Sequence, residues 1–408
     1  MPDAAVSVPE AIVGHWHGRP VLAVVDLDAL AVNVRTLRKL IGPDVRLQAV
    51  VKANAYGHGA VPVARAARAA GADSLAVATV DEAVHLRAAG VEGPLMVLGP
   101  IGRHESARAI GHDLTVVIAD AGFARLLASE ARMQLRPAEN PVSVHLKIDT
   151  GMRRFGAAPE QVVEIARVIA DLKELRLDGV MTHFAAADDP EPESAREQMA
   201  VFDACIEALT AAGLPVPLQH AANSAAIIRF PEFHRGQVRA GISLYGLRPD
   251  PGMVLPHPMQ PILSVFGRIS RIIDLAPGDT VSYGRTYVAT SAERAGLVPI
   301  GYADGYPRAL SSQSWMTVGG RRAPVIGRVC MDQTVVRLPA GASSDRGTVI
   351  GIVGDGRDAT PTLDDLAAMT GTISYELATG LARRLPKLYL SDGAVVAIDD
   401  LHGYRDMG

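Results

Sequence analysis

Only five of the forty basic residues in this 408-residue chain are lysines, and Lys52 closes the apolar run Leu47-Gln48-Ala49-Val50-Val51. Where positive charge alone is needed the chain uses arginine, whose guanidinium keeps its proton. A lysine amine can lose its proton, attack a carbonyl and form a Schiff base. Lys52 is therefore the leading nucleophile, set against the plainer reading of a long side chain left at an element end. Further reactive types fall at or just past the ends of later apolar runs: Asp149-Thr150-Gly151-Met152-Arg153-Arg154 follows one, His183 ends another, Asn223-Ser224 follows a third, and Arg239 with Gly241-Ile242 belongs to the last. Singly, each has a structural explanation. His183 can be a core histidine, Arg154 a solvated charge and Ser224 a helix N-cap.

The elements between these residues decide whether they meet. Short β-rich runs at 47–51, 74–78, 95–98, 114–118, 143–148, 179–183, 218–220 and 238–244 alternate with Ala-, Leu- and Arg-rich stretches, after a leading run at 21–26. Thr79 with Glu82 forms a capping-box pattern before one such stretch, and 60–70 reads as a helix stopped by Gly71. Eight βα units predict a (β/α)8 barrel, with a doubly wound open sheet as the alternative; no Gly-x-Gly-x-x-Gly follows the first strand. In a barrel the C-terminal strand ends form the active site, so Lys52, Arg154, His183, Ser224 and Arg239 would converge there. The loops after strands seven and eight commonly hold a phosphate, which Ser224 and the amides of Gly241 and Ile242 suit. A Schiff-base lysine beside a phosphate site points to pyridoxal 5′-phosphate (PLP).

Beyond Arg248-Pro249-Asp250-Pro251-Gly252 and Pro256-His257-Pro258, short β-branched runs at 262–273, 280–282, 297–300, 323–336, 349–353 and 394–398 predict a mostly-β domain. The expected division is a tail at 1–20, a barrel domain at 21–248 and the β domain at 259–408. The length favours two domains, and 48% hydrophobic with 21% charged residues describes a globular chain rather than a disordered one. The net charge of −4 is spread without a basic stripe, against a nucleic-acid or membrane-surface partner. No apolar stretch spans a bilayer, the N-terminus lacks a secretory pattern, and two cysteines make neither a disulfide framework nor a metal cluster. A cytoplasmic location without a metal is the expectation.

The sequence resembles the alanine racemases from about Val21 to Asp392. The resemblance rests on Val50-Val51-Lys52-Ala53-Asn54-Ala55-Tyr56-Gly57-His58-Gly59, His220-Ala221-Ala222-Asn223-Ser224 and Val238-Arg239-Ala240-Gly241-Ile242-Ser243-Leu244-Tyr245-Gly246. It rests equally on Val281-Ser282-Tyr283-Gly284, Gly301-Tyr302-Ala303-Asp304-Gly305-Tyr306-Pro307-Arg308 and Val329-Cys330-Met331-Asp332. It implies a homodimer whose sites are shared between subunits, racemising alanine and supplying D-alanine for peptidoglycan.

By that resemblance Lys52 carries PLP, with Tyr56, Ser224, Gly241, Ile242 and Tyr375 around the phosphate, and His183 and Asn223 also at the cofactor. Arg239 would face the pyridine nitrogen and, by keeping its own proton, leave that nitrogen largely unprotonated and the ring a weaker electron sink. Racemisation needs acid/base groups on both faces of Cα; the resemblance gives Lys52 the D-amino acid and Tyr283 the L-amino acid. A phenol acts as a base near neutrality only beside positive charge, which His183, Arg154 and Arg239 can provide. Met331 and Arg154 would meet the substrate carboxylate, Tyr302 and Tyr375 would narrow the entrance, and Asp188, Arg308 and Arg328 would line its outer part. Lys147 matches a lysine carbamylated in some members, a modification that orients the arginine. Arg153 stands where the family usually has glycine, and Phe155 where leucine is frequent.

Tyr283 lies beyond the expected linker, so it either folds onto its own barrel or enters another subunit's site; the family implies the second. Three rivals share part of the pattern. A single-barrel PLP protein without turnover would lack the second domain. A fold-related decarboxylase would place an acid where Arg239 stands. A Schiff-base aldolase would show no cofactor absorption. A non-catalytic interaction protein finds no support in repeats or an adhesive surface.

Overall fold

The computed structural model describes residues 9–16, 18–137, 139–189, 191, 193–342 and 344–407. Eight parallel strands follow one another around a barrel: Arg46–Val50, Ser74–Val77, Leu95–Val97, Thr115–Ile118, Val142–Lys147, Leu175–Met181, Gln219–His220 and Gln237–Ala240. The first strand pairs with the second on one side and with the last on the other. Between the last two strands, Gly236 donates to the Gln219 carbonyl at 3.1 Å and Arg239 to the Ala222 carbonyl at 3.0 Å, which brings the ring close to closure. The expected barrel, with its eight runs, is the observed architecture, and the open sheet is not. The sixth strand stops at Met181 and the eighth at Ala240, each short of the predicted end. Gly241 leaves the extended region (φ −104°, ψ −107°) and turns the chain into the short helix Ile242–Tyr245.

Local signals read from the sequence recur. Thr79 accepts from Glu82 while Glu82 caps back on Thr79, starting the helix Val80–Ala88, and the helix Ala60–Ala69 ends just before Gly71 (φ 112°). Such caps satisfy amides that a helix N-terminus otherwise leaves bare.

The second sheet also has eight strands and makes the C-terminal region mostly β, with the α-helices Leu363–Thr370 and Ser374–Thr379 among them. One strand of this sheet comes from the far end of the sequence. Val21–Asp26, expected to open the barrel domain, pairs antiparallel with Leu263–Arg268 and parallel with Lys387–Ser391. The sheet accepts it because Val21–Val25 is an apolar run that can be buried wherever both faces are covered. Asp26 ends this strand and its side chain caps the barrel helix Leu27–Ile41, so chain passes directly from one body into the other. Of the expected tail, residues 1–8 and 17 lie outside the described residues. Ile12 and Trp16 pack with Leu22, Phe266 and Leu388 on the second sheet. Arg19 is anchored too, forming a fork to the buried carboxylate of Asp304. The returning segment is pinned by buried Asn33, which donates to Leu244 and Gln260 and accepts from Gln260.

Candidate active site

Strand Arg46–Val50 delivers Lys52 to the C-terminal mouth, and an unusual backbone follows it. Ala53, Asn54, Ala55 and Tyr56 all have φ between 51° and 54°, a left-handed turn built without glycine. Each such residue costs about 1–2 kcal/mol. Opposing that strain, Glu82 accepts from Ala53, Ala55 donates to Val51, and the Asn54 side chain accepts from Ala60. Tyr56 is buried by the turn, facing the Tyr375 ring at 6.0 Å and the Tyr245 ring at 5.0 Å between centroids. Burial pushes the Tyr56 phenol upward, and burial followed by the charge of Tyr56, Asp188 and Asp364 does the same for Tyr375. Both remain protonated donors near neutrality.

Opposite Tyr56, Asn223 caps the helix Ser224–Arg229, and Ser224 Oγ accepts from the Gly241 amide at 2.8 Å. A Cβ on Gly241 would lie 2.8 Å from the Tyr56 hydroxyl and 3.6 Å from Ser224 Oγ, so the missing side chain leaves a niche between two hydroxyls. That niche suits an oxyanion such as a phosphate.

A cluster of basic groups shares the mouth. Burial lowers the Lys52 pKa, as does Arg154, against an opposing pull from Glu82. Burial with the charges of Arg239 and Arg154 brings Lys147 down to about 8, and burial with Arg239, Arg154, Lys147 and Lys52 keeps His183 neutral. Lys147 also lies 4.8 Å from the Phe155 ring centroid. Arg239 is almost wholly buried, and among the described residues its guanidinium meets no carboxylate. It donates to the carbonyls of Thr182, His220 and Ala221 and to Nδ1 of both His220 and His183. Burial lowers it to about 10, so it stays charged at neutral pH.

Two adjacent arginines divide their work. Arg154 acts on Lys52, Lys147 and His183, whereas Arg153 acts on Asp149 and donates its amide to the Asp149 carboxylate. Arg153 has φ 56°, which glycine adopts freely and arginine does not.

The structure thus gathers Lys52, Tyr56, Lys147, Arg154, His183, Asn223, Ser224, Arg239, Gly241, Ile242 and Tyr375 about the barrel mouth, with Asp188 acting on Tyr375. Other expected residues stand on the second body. Tyr283 is 73% exposed, Met331 53% and Tyr302 42%. The turn carrying Tyr283 is held by Ser282, whose hydroxyl donates to the Arg328 carbonyl at 2.6 Å. Arg308 begins a short helix after the Tyr302 loop.

Sequence reasoning gave no role to Asp304. Its carboxylate is gripped by Arg19 and Arg384, Arg384 also reaches Asp332, and Tyr302 and Ala303 donate to the carbonyls of Cys330 and Met331. Tyr302 and Met331 are thereby fixed as one unit. An acid in Gly301-Tyr302-Ala303-Asp304-Gly305 was the available signal.

A lysine of lowered pKa, a cradle for an oxyanion and an electropositive barrel mouth mark an enzyme of the barrel-plus-β-domain class, with a site whose groups are suited to Schiff-base chemistry. Residues 25–249 match the family described as alanine racemase, N-terminal domain, and residues 262–389 match alanine racemase, C-terminal domain. The alanine racemase of Symbiobacterium thermophilum is 42% identical over 91% of this chain and 97% of its own; that of Geobacillus stearothermophilus is 39% identical over 94% and 97%. The crystal structure of Bacillus anthracis alanine racemase with bound L-Ala-P superposes with a TM-score of 0.86 at 35% identity, covering 94% of this chain and 98% of that one. The chain belongs to the alanine racemase family and is an amino-acid racemase, an isomerase.

The residues present fit PLP on their own chemistry: an amine for its aldehyde, the Gly241 niche for its phosphate, and a buried donor-only guanidinium for its ring nitrogen. Among the described residues no His, Cys, Asp and Glu cluster suits a metal, and no helix is long and apolar enough to cross a membrane.

Proposed function

We propose that this chain interconverts L- and D-alanine with PLP bonded to Lys52, using Lys52 and Tyr283 as the two bases. The carrying observation is the Lys52 amine, made easier to deprotonate by burial and Arg154, on the same mouth as the niche formed by Tyr56, Ser224 and Gly241. When bound, PLP supplies an aldehyde for the substrate amine and a ring that accepts electron density as the Cα proton leaves. Lys52 exchanges a proton with one face of Cα and Tyr283 with the other. Arg154 and Met331 hold the carboxylate, and the uncompensated charge of Arg239 keeps the ring nitrogen unprotonated. His183 positions the cofactor ring. Tyr302 and Tyr375 restrict entry, with Asp188, Arg308 and Arg328 outside them.

Tyr283, Tyr302 and Met331 project from the surface of one chain, and this exposure supports a homodimer in which each subunit supplies them to the other's barrel. The same reading divides the chain at residues 249–258, places it in the cytoplasm and assigns it the supply of D-alanine for peptidoglycan. A coupled assay on the purified protein, run with L-alanine, D-alanine and L-serine beside a visible spectrum, tests it. Interconversion of alanine with cofactor absorption is expected. Absorption without interconversion overturns the two-base assignment, and absence of absorption returns the aldolase reading.

A further inference from the structure

Behind Arg239 a buried string of groups runs down the barrel bore. Arg239 NH1 lies 2.9 Å from His220 Nδ1, and His220 Nε2 lies 2.7 Å from His145 Nδ1, with the two rings crossed at 76°. His220 is fully buried and His145 is 5% exposed. His145 borders a cavity of about 1240 Å³ at the opposite end of the barrel from Lys52, shared with Asp178, Gln48 and Gln237.

The direction of every proton in this string follows from one fact. A guanidinium can only donate, so His220 Nδ1 must accept and its ring proton must sit on Nε2. That proton points at His145 Nδ1, which must accept in turn, leaving the His145 proton on Nε2. Neither ring can become imidazolium while the string stands, because a second proton would face a donor. Gln237 also approaches the accepting His220 Nδ1, at 3.5 Å. Burial, outweighing the charge of Asp178 and assisted by Arg239 and Arg46, lowers His145 to about 4, in accord with this polarity.

The backbone makes room for the second imidazole. The pairing of Val142–Lys147 with Leu175–Met181 slips between Val144 and His145, and a Cβ on Gly179 would stand 2.5 Å from His145 Cε1 and 2.6 Å from Nδ1. A bulge and a bare glycine at one ring mark a placed side chain rather than a space filler.

We propose that His145 is a positioning residue for the racemase reaction: by accepting from His220 it holds His220 in the single tautomer that receives Arg239, and so fixes the guanidinium at the cofactor's ring nitrogen. The inference rests on the role given to Arg239 above, but its first test does not. In the full-length protein freed of cofactor and labelled with 15N-histidine, NMR should show both rings neutral with the proton on Nε2. A proton on Nδ1 of either, or an imidazolium at neutral pH, overturns the proposal.

In the loaded enzyme, His145→Leu should lower kcat about tenfold or more and alter the cofactor's visible absorption. KM should stay within about twofold, and His145→Asn, which keeps an acceptor at the Nδ1 position, should recover kcat to within about threefold of wild type. Equal losses in the two variants, or wild-type kcat in both, overturn it. Should His145→Leu fail to fold, Gly179→Ala displaces the ring without deleting it and should give the same kcat-selective loss; a folded Gly179→Ala enzyme with wild-type kcat overturns the proposal. A wild-type protein that binds no PLP would sink the cofactor reading while leaving the NMR result to judge the string itself.

Discussion

Gly57 sits against the carbonyl oxygen of Ala378 so closely that a Cβ built on it would stand 1.9 Å from that oxygen. Gly57 ends the left-handed turn after Lys52, and Ala378 belongs to the helix Ser374–Thr379 that carries Tyr375. The lysine-bearing turn of the barrel and the second region's contribution to the mouth are thus locked at backbone distance. With φ 81° at Gly57, Gly57→Ala meets both a disfavoured conformation and an immovable neighbour. It should cost about 2–4 kcal/mol in urea unfolding and weaken cofactor retention. A loss below about 1 kcal/mol would show that the two elements can slide apart.

Arg153 and Arg154 should separate cleanly. Arg153→Gly relieves a left-handed arginine and should hold or raise stability, by up to about 1 kcal/mol. Its kcat/KM for alanine should stay within about twofold of wild type, while Arg154→Gln should raise KM about tenfold or more through loss of a charged carboxylate partner. The reverse pattern would assign the substrate to Arg153.

Lys147 carries a pH signature with a definite sign. Its pKa is about 8 in the folded chain against 10.5 ordinarily, so between those values the unfolded chain binds more protons and stability rises with pH. Lys147→Met should flatten the stability curve across that window. The same lowered pKa leaves much of the amine neutral at pH 8 and able to add carbon dioxide, and the carbamate's negative charge would sit among Arg154 and Arg239. Labelled bicarbonate should give a 13C carbamate resonance in the wild type that Lys147→Met lacks; its absence from both would remove this modification from the site.

The proposed sharing of sites between subunits makes a quantitative forecast. Lys52→Ala and Tyr283→Ala chains are each expected to be inactive as homodimers. After mixing and subunit exchange, half the dimers would be mixed, each with one intact site, for a recovery of about a quarter of wild-type activity. Exchange shown by mass spectrometry without recovered turnover would place Tyr283 over its own barrel.

Much of this molecule could be read from the chain because the relevant properties are local. The alternation of apolar runs with helical stretches announced the barrel, and the helix starting after Thr79 and Glu82 follows from a cap spanning three residues. Lys52 and Ser224 could be singled out because they lie just beyond strand runs, and Arg239 because it stands near the end of the last one, where a barrel gathers its active groups. Arg153 was conspicuous as a departure, but only its φ of 56° explains why glycine is usual there.

The sequence by itself determined which chemistries were available and in what order the barrel's strands would follow, since residue type and periodicity act over a few neighbours. Tertiary structure alone decided that Val21–Asp26 joins a sheet with partners some 240 to 360 residues away in the chain, a distance estimate that follows from strand pairing rather than pattern. It alone turned Ala53 through Tyr56 left-handed, against local preference, because Glu82, Gly57 and the packed Tyr56 together outweigh the strain. And it alone aligned His145, His220 and Arg239: hydrogen bonds between residues 75 and 19 positions apart leave no trace in local pattern, because their partners are chosen only when the barrel closes.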